Sequence, residues 1–186
     1  PKSLYAATKI ADEVLCDTYS ALHQVDMIGL RFFTVYGPWG RPDMAYWKFA
    51  EAILENKPIK LFNHGNIRRD FTYIDDVTST IARMVSEVAD GKDTPPRHRI
   101  YNIGNHSPEP VTNMIGILEG QLSRKARIEL EPLPPGDMVE TFADVSKLQH
   151  DYGFSPDTPL ETGLRRFTDW FVHWRAQIGL ETSHSA

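Results

Sequence analysis

Apolar residues recur at helical spacing from the first turn of the chain. Leu4, Ala7, Ile10, Ala11, Val14, Leu15, Thr18 and Leu22 fall on one side of a period of about 3.6 residues, so residues 3–23 predict one amphipathic helix. The pattern then changes. Met27 to Tyr36 is a dense apolar run with β-branched and aromatic members, which predicts a strand buried on both faces. It stops at Gly37-Pro38-Trp39-Gly40-Arg41-Pro42-Asp43, a loop stiffened by two prolines and freed by two glycines. A helix over 44–56, a short strand over Ile59–Phe62, a turn at Asn63–Asn66 and a strand over Arg69–Ile74 follow. Asp75 or Asp76 then stands where an N-cap belongs, before a helix reaching about Val88.

In the second half, Asp90–His98 predicts a surface loop around Pro95-Pro96, and Arg99–Ile103 a strand. A helix over Val111–Leu122, a strand over Ala126–Leu130 and a Pro/Gly loop over Pro132–Asp137 come next. A short helix over Val145–Tyr152 is closed by Gly153. Thr158-Pro159-Leu160-Glu161 reads as a capping box with proline at the first helical position. The helix it opens carries Leu160, Leu164, Phe167, Phe171 and Trp174 on one face, and the tail from Gln177 is polar and expected to fray. Strands alternating with helices predict an α/β fold with parallel pairing.

Composition narrows the function classes. The chain has 186 residues, 41% of them apolar and 24% charged, with a formal net charge of −5. That supports a packed core, and a mildly acidic chain is a poor non-specific binder of nucleic acid or anionic membrane. No apolar run approaches the roughly 18 residues of a membrane span. Cys16 is the one cysteine, which excludes an internal disulfide framework; its helical context predicts a buried thiol. The seven histidines show no ligand spacing, so no metal is expected, and a helix N-cap accounts for Asp75-Asp76. A soluble protein of a reducing, cytoplasmic compartment is the reading. The opening Pro1-Lys2-Ser3 has neither methionine nor leader and runs straight into a helix, which reads as a chain whose front part is missing.

Tyr5-Ala6-Ala7-Thr8-Lys9 sets a phenol and an ammonium on the same side of one helical turn. That spacing suits a tyrosine acting as general base with a lysine stabilising its phenolate. A free phenol titrates near ~10, so bringing one to about 7 takes roughly 4 kcal/mol. A lysine and a cationic cofactor in a dry cleft can supply that together.

Tyr5-x-x-x-Lys9, Leu30-Arg31-Phe32-Phe33-Thr34-Val35-Tyr36-Gly37-Pro38 and Arg69-Asp70-Phe71-Thr72-Tyr73-Ile74-Asp75-Asp76-Val77 stand in this order. Together they resemble the extended short-chain dehydrogenase/reductase superfamily. Tyr36 through Ala45, with Tyr101-Asn102-Ile103-Gly104-Asn105 and Pro135-Gly136-Asp137 through Asp144, resembles its UDP-glucuronate 4-epimerases. The resemblance runs from Pro1 to about Trp174. It implies the C-terminal part of a Rossmann-like fold with the smaller α/β substrate-binding domain, the N-terminal dinucleotide-binding half being absent. Residues 1–42 would be a remnant of the NAD-binding domain. Residues 43–176 would be mainly the nucleotide-sugar domain, with segments of about 70–104 returning to the Rossmann sheet, and 177–186 a tail.

The resemblance also implies roles. Tyr5 is the catalytic base and Lys9 its partner, both touching NAD; Pro38 lies beside the nicotinamide. Thr34 faces the sugar, Arg41 and Arg69 approach the UDP diphosphate, Phe62 packs near the uracil and Asp137 bonds the nucleotide ribose. A guanidinium fork matches phosphate oxygens, which gives the arginines a physical warrant as well. Related epimerases often carry arginine or glutamine three residues before that aspartate; here it is Pro134.

The implied activity interconverts UDP-glucuronate and UDP-galacturonate through a 4-keto sugar. The alternatives are a UDP-glucose 4-epimerase, a UDP-glucuronate decarboxylase, or a non-catalytic UDP-binding chain. No G-x-x-G-x-x-G or G-x-G-x-x-G turn occurs. The chain alone is therefore expected to bind NAD weakly or not at all, to be inactive, and to form a homodimer through its first helix.

Overall fold

The computed structural model describes residues 1, 3–89 and 97–179. The first helix, α1 (Leu4–His23), starts where Ser3 Oγ accepts a hydrogen bond from the Ala6 amide at 3.1 Å. The apolar run after it is not one strand. It splits into β1 (Met27–Phe32) and β2 (Thr34–Tyr36), because Phe33 donates to Ile103 O while its own carbonyl takes the Val35 amide. Neither is buried on both faces throughout: β1 is half-buried to exposed along its length. Its one ladder among the described residues is parallel to β5 (His98–Ile103).

The middle of the chain builds the larger core. It contributes α2 (Ala45–Leu54), β3 (Pro58–Phe62), a single 3₁₀ turn at Asn63–Gly65, β4 (Arg68–Tyr73) and α3 (Ile74–Ala89). Then come β6 (Pro108–Pro110), α4 (Val111–Leu122), β7 (Arg127–Glu131), α5 (Ser146–Tyr152) and α6 (Leu160–Gln177). Strand β4 pairs parallel with β2 and antiparallel with β6, and β3 pairs parallel with β7. Leu164, Phe167 and Phe171 of α6 are fully buried against α2 and α4. Side chains of this kind contribute roughly 1.5–3 kcal/mol each on burial. A second core joins α3, α5 and β5 through Met84, Tyr101, Leu148 and Phe154.

Four expectations change here. Asp75 and Asp76 lie inside the first turn of α3 instead of capping it, where two acidic groups still suit the helix N-terminus. Thr158 forms no capping box: its hydroxyl donates to Asp76 Oδ1 at 2.9 Å, and Pro159 takes the N-cap position of α6. Cys16 is half-buried, since α1 rests on its neighbours through one narrow edge. The loop at Asp90–His98 gives its last residue to β5, its 90–96 part lying outside the described residues, as does the tail beyond 179. Helix α1 turns Leu4, Leu15 and Leu22 to solvent. Among the described residues no helix is long and apolar enough to cross a membrane.

Candidate active site

The residues singled out by the sequence line three cavities beside α1, β1, β2 and β3. Tyr5 is 74% exposed, on the first turn of α1. Lys9 follows one turn later, with Nζ 5.8 Å from the Tyr5 ring centroid. Its ammonium pairs with Asp12 at 2.8 Å, and that hydrogen bond holds Lys9 above the usual lysine range.

Two cavities follow from there. The first, of about 530 Å³, is lined by Tyr5, Pro38, Arg41 and Met44 with an apolar wall that includes Val35 and Val77. The second, of about 270 Å³, is lined by Thr34, Phe62, Arg69 and Asp137, again with Met44. Met44, the residue before α2, is thus a wall common to both. A third cavity of about 830 Å³ lies along α1 and β1 and brings Lys9 together with Tyr5.

The strands divide these residues between the cavities. In β2, Val35 faces the first cavity while Thr34 faces the second, so Thr34 and Tyr5 do not share a cavity. In β3, Ile59 and Leu61 are buried, and Lys60, Leu61 and Phe62 all line the second cavity. Lys60 is a residue that sequence reasoning missed. The arginines are held differently. Arg69 bonds Asp137 Oδ1 at 3.1 Å and the Arg68 carbonyl at 2.9 Å, with its side chain 18% exposed. Arg41 extends into solvent, pairs with Asp43 at 3.3 Å, and does not meet Arg69.

The segment carrying Asp137 is strapped along β4. The Arg68 amide donates to Val139 O, and the Thr141 amide to Arg68 O. The Asp137 amide turns back onto Pro134 O at 3.1 Å, so Pro134 shapes this loop through its carbonyl. Asp70, fully buried in β4, accepts from the amides of Asn105 at 2.5 Å and Ala143 at 3.0 Å. Among the described residues no group of histidine, cysteine or carboxylate side chains could hold a metal ion.

The donor set has a clear chemistry. A guanidinium and a carboxylate beside an aromatic face fit a nucleoside diphosphate in the second cavity. A phenol and an ammonium beside an apolar wall fit the ribose and nicotinamide end of a dinucleotide near Tyr5.

Comparison with known proteins places the chain among its relatives. The model of the NAD dependent epimerase/dehydratase family matches residues 1–104. The chain is similar to UDP-glucuronate 4-epimerase 2 of Arabidopsis thaliana, at 44% identity over all of this chain and 45% of that protein. Protein CapI of Staphylococcus aureus is 44% identical over 94% of this chain and 55% of its own length. The crystal structure of the UDP-glucuronic acid 4-epimerase of Bacillus cereus, in complex with UDP-glucuronic acid and NAD, superposes with a TM-score of 0.82. It is 33% identical, with 94% of this chain and 54% of that one covered. The chain thus spans about half the length of the relatives it matches.

Proposed function

The chain belongs to the NAD dependent epimerase/dehydratase family, and on that premise we propose that it carries the sugar-nucleotide site of a UDP-glucuronate 4-epimerase. One observation carries the reading: Tyr5, Pro38 and Arg41 line one cavity, Thr34, Phe62, Arg69 and Asp137 line the next, and Met44 belongs to both. Two adjoining compartments suit a substrate with a diphosphonucleoside at one end and a reacting hexose at the other. UDP occupies the second, with Arg69 on the diphosphate, Phe62 against the uracil and Asp137 on the ribose. The sugar reaches past Met44 toward Tyr5.

Tyr5 takes the proton from the sugar 4-hydroxyl. Lys9, kept charged by Asp12, stabilises the phenolate that accepts it. NAD, when bound, supplies the acceptor that takes hydride from C4 and returns it. Tyr5, Lys9 and Pro38 hold its nicotinamide-ribose end. Binding energy concentrated on UDP leaves the 4-keto hexose free to turn, so that its other face meets the returning hydride. That ketone is β to the glucuronate carboxylate, an arrangement prone to lose carbon dioxide.

The test supplies the purified chain with NAD and UDP-glucuronate and resolves UDP-galacturonate from UDP-pentose. Any product is expected to be UDP-galacturonate, falling by about 10³-fold in Tyr5→Phe, the scale of a lost general base. UDP-pentose as the product would move the assignment to a decarboxylase. Turnover unchanged by Tyr5→Phe would contradict the proposal.

A further inference from the structure

The loop between β2 and α2 holds a backbone conformation that its own residues do not favour. Trp39 sits at φ 62°, in the left-handed region that bulky side chains rarely adopt. Its indole is 80% exposed, so burial does little to hold it there. The base of the loop is fixed independently. Gly37 (φ 148°) lies so close to Ile74 that a Cβ would come within 2.5 Å of its Cγ2. Tyr46 Oη donates to the Gly37 carbonyl at 3.4 Å and fills the space where a Cβ on Gly40 would go. At the tip, Trp39 meets Trp170 of α6 at 5.2 Å between centroids, with planes 50° apart, and farther along the Met44 amide donates to the Arg41 carbonyl at 3.1 Å. Trp170 lines neither the Tyr5 cavity nor the Arg69 cavity. It is anchored in turn by Trp174, stacked at 5.8 Å, and by Trp47 at 5.4 Å.

We propose that the Trp39–Trp170 contact is a clamp that positions the Gly37–Asp43 loop over the sugar compartment. Trp170 acts as a positioning residue for Pro38 and Arg41 through Trp39, which itself lines the Tyr5 cavity. Local backbone preference pulls Trp39 away from φ 62°, and the contacts at Gly37 and Gly40 hold the backbone on either side of it without holding its ring. The aromatic row on α6 therefore sets where Pro38 and Arg41 stand relative to Tyr5. A sugar entering the Tyr5 cavity meets a preformed wall, and the ordering of that wall is not charged against binding. The inference rests on the sugar-nucleotide reading for its effect on affinity, and on the loop geometry alone for its effect on order.

The test uses two variants of the whole chain. Trp39→Asn removes the ring with a residue at home at positive φ, and Trp170→Leu removes the other partner without touching either cavity. Amide hydrogen exchange is followed at Trp39–Met44, and affinities for UDP and UDP-glucuronate are measured. Both variants are expected to speed exchange in this loop by about tenfold or more while the base at Tyr46 stays protected. UDP-glucuronate affinity falls by roughly tenfold while that of UDP alone is unchanged, and Trp39→Tyr restores most of the loss. A merely structural role for Trp170 would weaken both ligands together. Loop exchange at the parental rate in both variants would overturn the clamp. A parent chain that binds neither ligand would overturn the sugar-nucleotide reading, and the exchange result would then decide the clamp by itself.

Discussion

Asp70→Ala is expected to lower the thermal midpoint by about 6–12 °C, the equivalent of roughly 3 kcal/mol for a domain of this size. The carboxylate is fully buried and takes two backbone amides from separate segments, Asn105 after β5 and Ala143 before α5. Gly104 shows how tightly these segments meet, since a Cβ there would lie 2.4 Å from the Ala143 Cβ. Truncation leaves the buried Ala143 N–H and the half-buried Asn105 N–H without this acceptor, at about 1–3 kcal/mol each. Asp70→Asn retains one acceptor oxygen and is expected to show about half the loss. Thermal unfolding followed by circular dichroism measures both. An Asp70→Ala midpoint within about 2 °C of the parent would mean that the two segments find other partners.

The second large effect falls on binding. Arg69→Leu is expected to weaken UDP about a hundredfold, near 2.7 kcal/mol, because it removes a mostly buried guanidinium fork and leaves Asp137 without its cation. Uridine, which has no phosphate, is expected to bind the variant and the parent alike. Arg69→Lys returns only part of the loss, since an ammonium cannot hold Asp137, the Arg68 carbonyl and a phosphate in one plane. Calorimetry with UDP and uridine separates the cases. An equal loss for both ligands would show that Arg69 acts by shaping the cavity and does not bind phosphate.

Much of the fold was legible as periodicity. The helix over Val111–Leu122 has the bounds expected for it, and the apolar face of the last helix is the one buried in the core. What escaped was set by partners far along the chain. Strand β6 is Pro-Glu-Pro, with no strand propensity; it exists because Arg68–Asp70 of β4 has an open edge to pair. Thr158 carries a capping-box pattern but spends its hydroxyl on Asp76 from another element. The apolar run through Phe33 looked like one strand, and its break comes from a hydrogen bond to Ile103.

The site divides in the same way. Tyr5 and Lys9 are visible together because one helical turn spaces them. The meeting of Thr34 with Phe62, Arg69 and Asp137 has no local signature and came from resemblance to a family. Met44 and Lys60 were missed, because a shared wall and a strand face acquire meaning only once the cavities exist.

The account stands on two joined compartments with UDP in one and the sugar reaching Tyr5 in the other. The direct measurement is a titration of the isotope-labelled chain with UDP and then with UDP-glucuronate, following backbone amides by NMR. UDP is expected to shift Phe62, Arg69 and Asp137. UDP-glucuronate should shift these and, in addition, Tyr5, Gly37 and the Trp39 indole. Identical shifts from both ligands, or shifts confined to residues outside both cavities, would contradict it.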